Sequence, residues 1–194
     1  MAADRPVFHM TDERALEALA HPTRSRILEL LRLEGLATAT TLSLRIGESS
    51  GVTSYHLRRL AEVGLVEEDV ERGSRKERWW RAAEQIITWS AADFLGNAKA
   101  HQATVAMRRN YYAWQARLLE QRLRDEERWD PAWIQAANDS DDYLKLTPQQ
   151  ADAMAKEIWE VVQRYRAEAN TEDENVTTVV WWQHLVPVFN EIPV

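Results

Sequence analysis

Ser50, Ser54, Tyr55 and Arg58 are hydrogen-bonding side chains spaced so that a helix presents them together. Thr53, Leu57 and Leu60, with His56 beside them, fall on the other face and suit packing on a core. The outward group, which includes Gly51, carries no acid: from Gly51 to Leu60 there are two arginines and no carboxylate. Short hydroxyls and a guanidinium fit base edges and the flanking phosphates without a competing charge. A second basic cluster follows, with five Lys or Arg between Arg72 and Arg81 against one Glu. Its tip, Arg72-Gly73-Ser74-Arg75-Lys76, is shaped to lie along a phosphate backbone.

The elements that must position these groups are legible from caps and periodicity. Thr11 can cap a first helix, with Asp12 and Glu13 favourable for its dipole and Leu16 and Leu19 as its apolar stripe. A second begins at His21-Pro22-Thr23, carries Ile27, Leu30 and Leu31 on one face, and ends before Gly35. A third runs from Thr38 to Gly47 with Ala39, Leu42 and Ile46 at spacings of three and four. After a short break Ser49 or Ser50 caps a fourth, which runs to Gly64. Leu65 to Val70 and Glu77 to Ala82 then read as two strands around the basic turn. Helix, tight turn, helix, hairpin is the order of a winged helix-turn-helix.

Composition divides the 194 residues into two parts. Residues 1–82 hold 13 basic and 13 acidic residues, whereas 83–194 hold 11 and 18, so the whole net charge of −7 lies in the second part. The acids of the first part cluster away from the basic groups, notably at Glu67-Glu68-Asp69. No tryptophan precedes Trp79 and all nine lie at or after it. From Ser90, with Asp93 completing a capping-box-like start, a helical pattern continues to about Arg128, with a kink expected at Gly96-Asn97. Val105, Met107, Tyr111, Tyr112, Trp114, Leu118, Leu119 and Leu123 form one wide stripe on it. A helix of that length spans ~55 Å, more than one small domain covers, so its apolar face wants a partner helix. Val105, Tyr112, Leu119 and Leu123 are the expected dimer contacts. Asp130-Pro131 starts a short helix and Thr147-Pro148-Gln149-Gln150 a capped one carrying Met154, Ile158 and Val161. Val176 to Phe189 reads as a terminal strand that Pro187 ends or forces to an edge.

The segments ALAHPTRSRILELL, ATATTLSLRIG, SSGVTSYHLRRLAEVGLVEE and RGSRKERWWRA together resemble the ArsR-type winged-helix transcriptional regulators of bacteria. The resemblance covers roughly residues 11–85. It implies a homodimer that binds a partly palindromic operator, usually as a repressor. It places DNA contacts on Ser50, Ser54, Tyr55 and Arg58 and on the wing around Arg72 and Arg75. Founding members sense soft metals through cysteines on the third helix; this chain has no cysteine, so thiolate sensing, disulfides and thiol catalysis are excluded.

The fold expected is mainly α with a small β-hairpin wing: a winged helix-turn-helix over 1–85, and over 86–194 a helical dimerisation unit with one terminal strand. The function expected is sequence-specific binding of double-stranded DNA, with Ser50, Ser54, Tyr55, Arg58, Arg72, Ser74, Arg75 and Lys76 as contacts. The aromatics of the second part, Trp114 and Trp159 foremost, are either core and interface or the wall of a site for an apolar effector. Asp139, Asp141 and Asp142 lack the Gly and terminal Glu of a calcium loop, and His101 and His184 are isolated, so no metal or other cofactor is expected. GxSxG, P-loop, HExxH and GxGxxG motifs are absent, which leaves no basis for an enzyme. No apolar run approaches the ~18 residues of a membrane span, and the acidic start lacks the pattern of a signal peptide; a cytoplasmic protein is expected. Two alternatives stay open: a winged helix that docks on protein, and a repressor that answers a metal through oxygen and nitrogen ligands.

Overall fold

The computed structural model describes residues 7–73, 77–83, 86–169, 173 and 176–189. Helix α1 (Glu13–Ala20) is capped by Asp12 rather than Thr11, its Oδ1 accepting from the Arg14 amide at 2.9 Å. The carboxylate wins because it stands next to the first helical residue and also answers the helix dipole. Helix α2 (Pro22–Glu34) starts with proline at its first position behind the His21 cap and stops at Gly35. Helix α3 (Ala39–Ile46) is capped by Thr38 and closed by Gly47, whose φ of +76° is a left-handed turn that a side chain would strain. Helix α4 (Ser50–Ala61) follows after that turn, capped by Ser49.

The wing is part of a three-stranded antiparallel sheet in which β4 (Trp79–Ala82) lies between β2 (Ala37–Thr38) and β3 (Val66–Asp69). A separate two-stranded parallel pair joins β1 (Val7–His9) to β5 (Ile86–Thr88). Leu16, Ile27, Leu28, Leu31, Leu42, Leu57, Leu60 and Leu65 are almost wholly buried and make one core with Trp80 of the sheet.

The long helix begins later than the pattern implies. Ser90 caps only a 3-10 turn over Ala91–Phe94, Gly96 adopts φ +85°, and Asn97 caps the true start of α5 (Ala98–Asp125). Gly96-Asn97 is therefore a break between two elements and not a kink within one. Twenty-eight residues give α5 a length of ~42 Å.

Residues 5–137 form one compact unit, so α5 packs with the winged helix and extends the unit past the composition boundary near residue 85. Ala100, Ala103 and Met107 of α5 enter the core described above. Asn97 Nδ2 donates to Glu13 at 2.7 Å, and Asn110 Nδ2 donates to the Leu19 and Ala20 carbonyls, both at 3.0 Å. These last bonds satisfy carbonyls that the end of α1 leaves open. The short α6 (Pro131–Ala136) closes the unit behind its Asp130 cap.

The described residues from 138 onward make a second unit. Its α7 (Pro148–Glu168) has the full capping box, with Gln150 donating to Thr147 Oγ1 at 3.2 Å and Thr147 donating back to Gln150 Oε1 at 2.9 Å. No residue of α7 is fully buried. The strand expected over Val176–Phe189 is not formed among the described residues, which carry no ladder there. Its Val, Thr and aromatic residues supply β propensity, but a strand exists only where another strand's backbone accepts its hydrogen bonds.

Candidate nucleic-acid interface

α4 is held by a cap and a buried face. Ser49 Oγ accepts from the Val52 amide at 3.2 Å, and the Ser49 carbonyl accepts from both the amide and the hydroxyl of Thr53 at 3.0 Å. Thr53, His56, Leu57 and Leu60 are buried, which fixes the helix's rotation and turns the other face outward. Ser50, Gly51, Tyr55, Arg58 and Arg59 are exposed on it, and Ser54 is half-buried. Tyr55 keeps 52% of its surface exposed. Arg58 has no ion pair among the described residues, whereas Arg59 is tied to Glu62 at the end of the helix.

His56 connects this helix to α2. Its ring lies 4.6 Å from that of His21 and 5.4 Å from Tyr55. Burial lowers the His56 pKa below the ordinary histidine value, and the nearby His21 and Arg24 push it the same way. His21 Nδ1 accepts from the Thr23 amide at 3.2 Å, and burial followed by Arg24 also lowers its pKa. Both rings are therefore favoured in the neutral form. Among the described residues His56 Nδ1 has no hydrogen-bond partner.

The hairpin is less basic than its sequence implies. Glu67 stands directly across from Arg81 in the register and bonds it at 2.7 Å; Glu68 reaches Arg78 at 3.5 Å. The acids at 67–69 are thus not set apart from the basic cluster but lie on the partner strand, where cross-strand pairing engages two of its five basic residues, Arg78 and Arg81. Asp69 builds the turn: its carbonyl accepts from Gly73 at 3.1 Å and its carboxylate from the Arg72 amide at 3.0 Å. A Cβ at Gly73 would meet the Asp69 carbonyl at 3.3 Å, a tight contact that the turn would have to relieve by a few tenths of an ångström. The Arg72 guanidinium lies over the Trp79 ring at 5.2 Å. Ser74, Arg75 and Lys76 lie outside the described residues.

The remaining expected site residues are divided among other surfaces. On α5, Tyr112, Leu119 and Leu123 are exposed and Val105 is half-buried. At ~100° per residue these four share one stripe about 150° around the helix from Ala100, Ala103 and Met107. The wide stripe of the sequence is therefore two stripes, one in the core and one facing out. Trp114 is half-buried on α5 beneath the Arg117 guanidinium at 5.8 Å; Trp159 is half-buried on α7, in the second unit. Among the described residues no group of three His, Asp or Glu gathers to hold a metal, and no helix is long and apolar enough to cross a membrane.

Residues 19–69 match a family described as a helix-turn-helix domain, a stretch that runs from the end of α1 through β3. No curated protein matches the chain. Among solved structures, a mutant of ZitR from Lactococcus lactis in apo form is similar at 14% identity and a TM-score of 0.33, over 75% of this chain and 83% of that one. A second structure of that mutant gives 12% identity and a TM-score of 0.31, over 75% of each chain. The chain carries a helix-turn-helix domain with α3 and α4 as its two helices.

Proposed function

We propose that the protein is a sequence-specific DNA-binding transcriptional regulator of the ArsR type, acting as a homodimeric repressor in the cytoplasm. The observation that carries this reading is the exposed, acid-free face of α4 within the helix-turn-helix match. In this reading Ser50, Ser54, Tyr55 and Arg58 meet base edges in the major groove, while Arg72, Ser74, Arg75 and Lys76 lie along the backbone. Its action is binding rather than catalysis. The outward stripe of α5, with Val105, Tyr112, Leu119 and Leu123, pairs with its copy in a second subunit. Two-fold symmetry then sets the reading helices on half-sites about one helical turn apart. The residues from 86 onward serve pairing and control by a small organic effector.

Selection of bound sites from random double-stranded DNA tests the reading. A recovered site with two related half-sites supports it; recovery of no preferred sequence contradicts it. The cross-strand neutralisation by Glu67 and Glu68 is the feature that favours the rival, a winged helix docking on protein. Affinity for DNA that is indifferent to salt would select that rival.

A further inference from the structure

Between α2 and α5, within the unit of residues 5–137, lies a cavity of about 250 Å³. Trp89, Tyr111 and Trp114 give it aromatic walls, Trp89 and Tyr111 meeting edge to face at 5.7 Å. Leu19, Leu28, Ile87 and Met107 add aliphatic surface. Three arginines line it against a single carboxylate. That carboxylate, Glu29, is answered within the cavity by Arg32, whose Nη1 donates to both its oxygens at 3.0 and 3.2 Å. Burial raises the Glu29 pKa, which further weakens its repulsion of a neighbouring anion.

The other two arginines, Arg26 and Arg117, have no carboxylate partner among the described residues. Arg26 gives Nη2 to the Arg45 carbonyl at 2.7 Å, and Arg117 rests over Trp114. An excess of positive charge beside aromatic walls, in a chain of net charge −7, selects for an anion with a flat apolar body. An ammonium ligand would face these arginines, and an uncharged apolar one would leave them unused.

We propose that this cavity binds a small aromatic carboxylate, its ring against Trp89 and Trp114 and its carboxylate on Arg26 and Arg117, and that occupancy changes the affinity for DNA. The second half rests on the regulator reading above. α2 is the connecting element: Arg26, Glu29 and Arg32 line the cavity, and the His21 cap of the same helix packs its ring, tilted, against His56 of α4. A ligand wedged between α2 and α5 biases the seat of α2 and hence of α4. By linkage, DNA must change the ligand's affinity by the same factor.

The test uses the full chain without DNA, titrated with benzoate, and with benzamide as the uncharged analogue of equal size, by calorimetry. Benzoate is expected to bind saturably near ~1 mM, a value ordinary for so small a ligand. Benzamide is expected to bind about tenfold more weakly, since charge-assisted bonds to Arg are the stronger kind. Arg26→Gln with Arg117→Gln, both at exposed positions, is expected to abolish the preference for the acid while leaving the far-UV spectrum unchanged. Equal binding of acid and amide, no saturation below ~10 mM, or an unchanged preference in the double variant overturns the site. Operator affinity is then compared with and without saturating benzoate: a change of ~5-fold or more supports the coupling, and none overturns it. A chain that binds benzoate but no DNA sinks the regulator reading and leaves the ligand site standing; the converse result does the reverse.

Discussion

Replacing Leu119 and Leu123 together by alanine tests whether the outward stripe of α5 is a subunit interface. Fully burying a leucine is worth ~1.5–3 kcal/mol, and 43% of Leu119 and 70% of Leu123 remain exposed in the single chain. Covering that remainder is worth ~2–3 kcal/mol per subunit. Two-fold symmetry counts it twice, and alanine keeps a fraction of it, which leaves a loss of ~4 kcal/mol per dimer. The dimer dissociation constant is expected to rise ~10³-fold. Sedimentation equilibrium across protein concentrations reads this directly, with circular dichroism as the control. Both positions are exposed and on a face separate from Ala100, Ala103 and Met107, so helix content and the single-chain core are expected to be preserved. A wild-type chain that sediments as a monomer at micromolar concentration refutes the interface. So does a variant that dimerises as tightly as wild type.

Arg58→Ala and Tyr55→Ala are each expected to weaken binding to a selected site by ~1–3 kcal/mol with a smaller effect on scrambled DNA; equal losses on both would make these phosphate contacts rather than readers. Gly47→Ala meets no neighbour within 4 Å but keeps φ at +76°, so it isolates backbone strain of ~1–2 kcal/mol. Its melting temperature is expected to fall, and an unchanged one would dismiss the left-handed turn as a requirement. The His21–His56 pair makes stability depend on pH in a definite direction. The folded state lowers both pKa values, so the unfolded chain binds more protons. The contribution is full above the ordinary value of ~6.5 and is lost as pH falls through the lowered folded values. Urea midpoints are expected to drop on acidification through that range in wild type and to drop less in His56→Gln. Identical pH profiles would remove the pair from the account.

The four helices of the winged helix were legible because their signals are local: a cap, a stripe at spacings of three and four, and a stop at Gly35 or Gly47. The exposed face of α4 followed from those stripes, since Thr53, Leu57 and Leu60 suit the buried side. Features that depend on which strand or helix lies alongside were not legible. Glu67 and Arg81 are fourteen residues apart and become partners through the hairpin register. The β1–β5 pair joins segments near residues 8 and 87, and neither is a strand until the other is present. Residues 176–189 show the converse, high strand propensity with no partner strand among the described residues. The two stripes of α5 merged into one because their difference is angular, and only the packing of Ala100, Ala103 and Met107 on the core separates them. The cavity arises in the same way, from α2 and α5 meeting although they are far apart in the chain, and the Asn110 bond to Ala20 ties α5 to α1 across ninety residues.

Binding of DNA by α4 through sequence and by the wing through charge is tested most directly by the affinity of the full chain for a selected duplex and for a scrambled one, each measured across a series of salt concentrations. Log K is expected to fall linearly with log salt for both duplexes, by ~0.9 per phosphate contacted. The selected site is expected to stay tighter at every salt concentration, and Arg58→Ala to narrow the gap without changing the slope. A flat salt dependence, or equal affinity for the two duplexes in wild type, would contradict it.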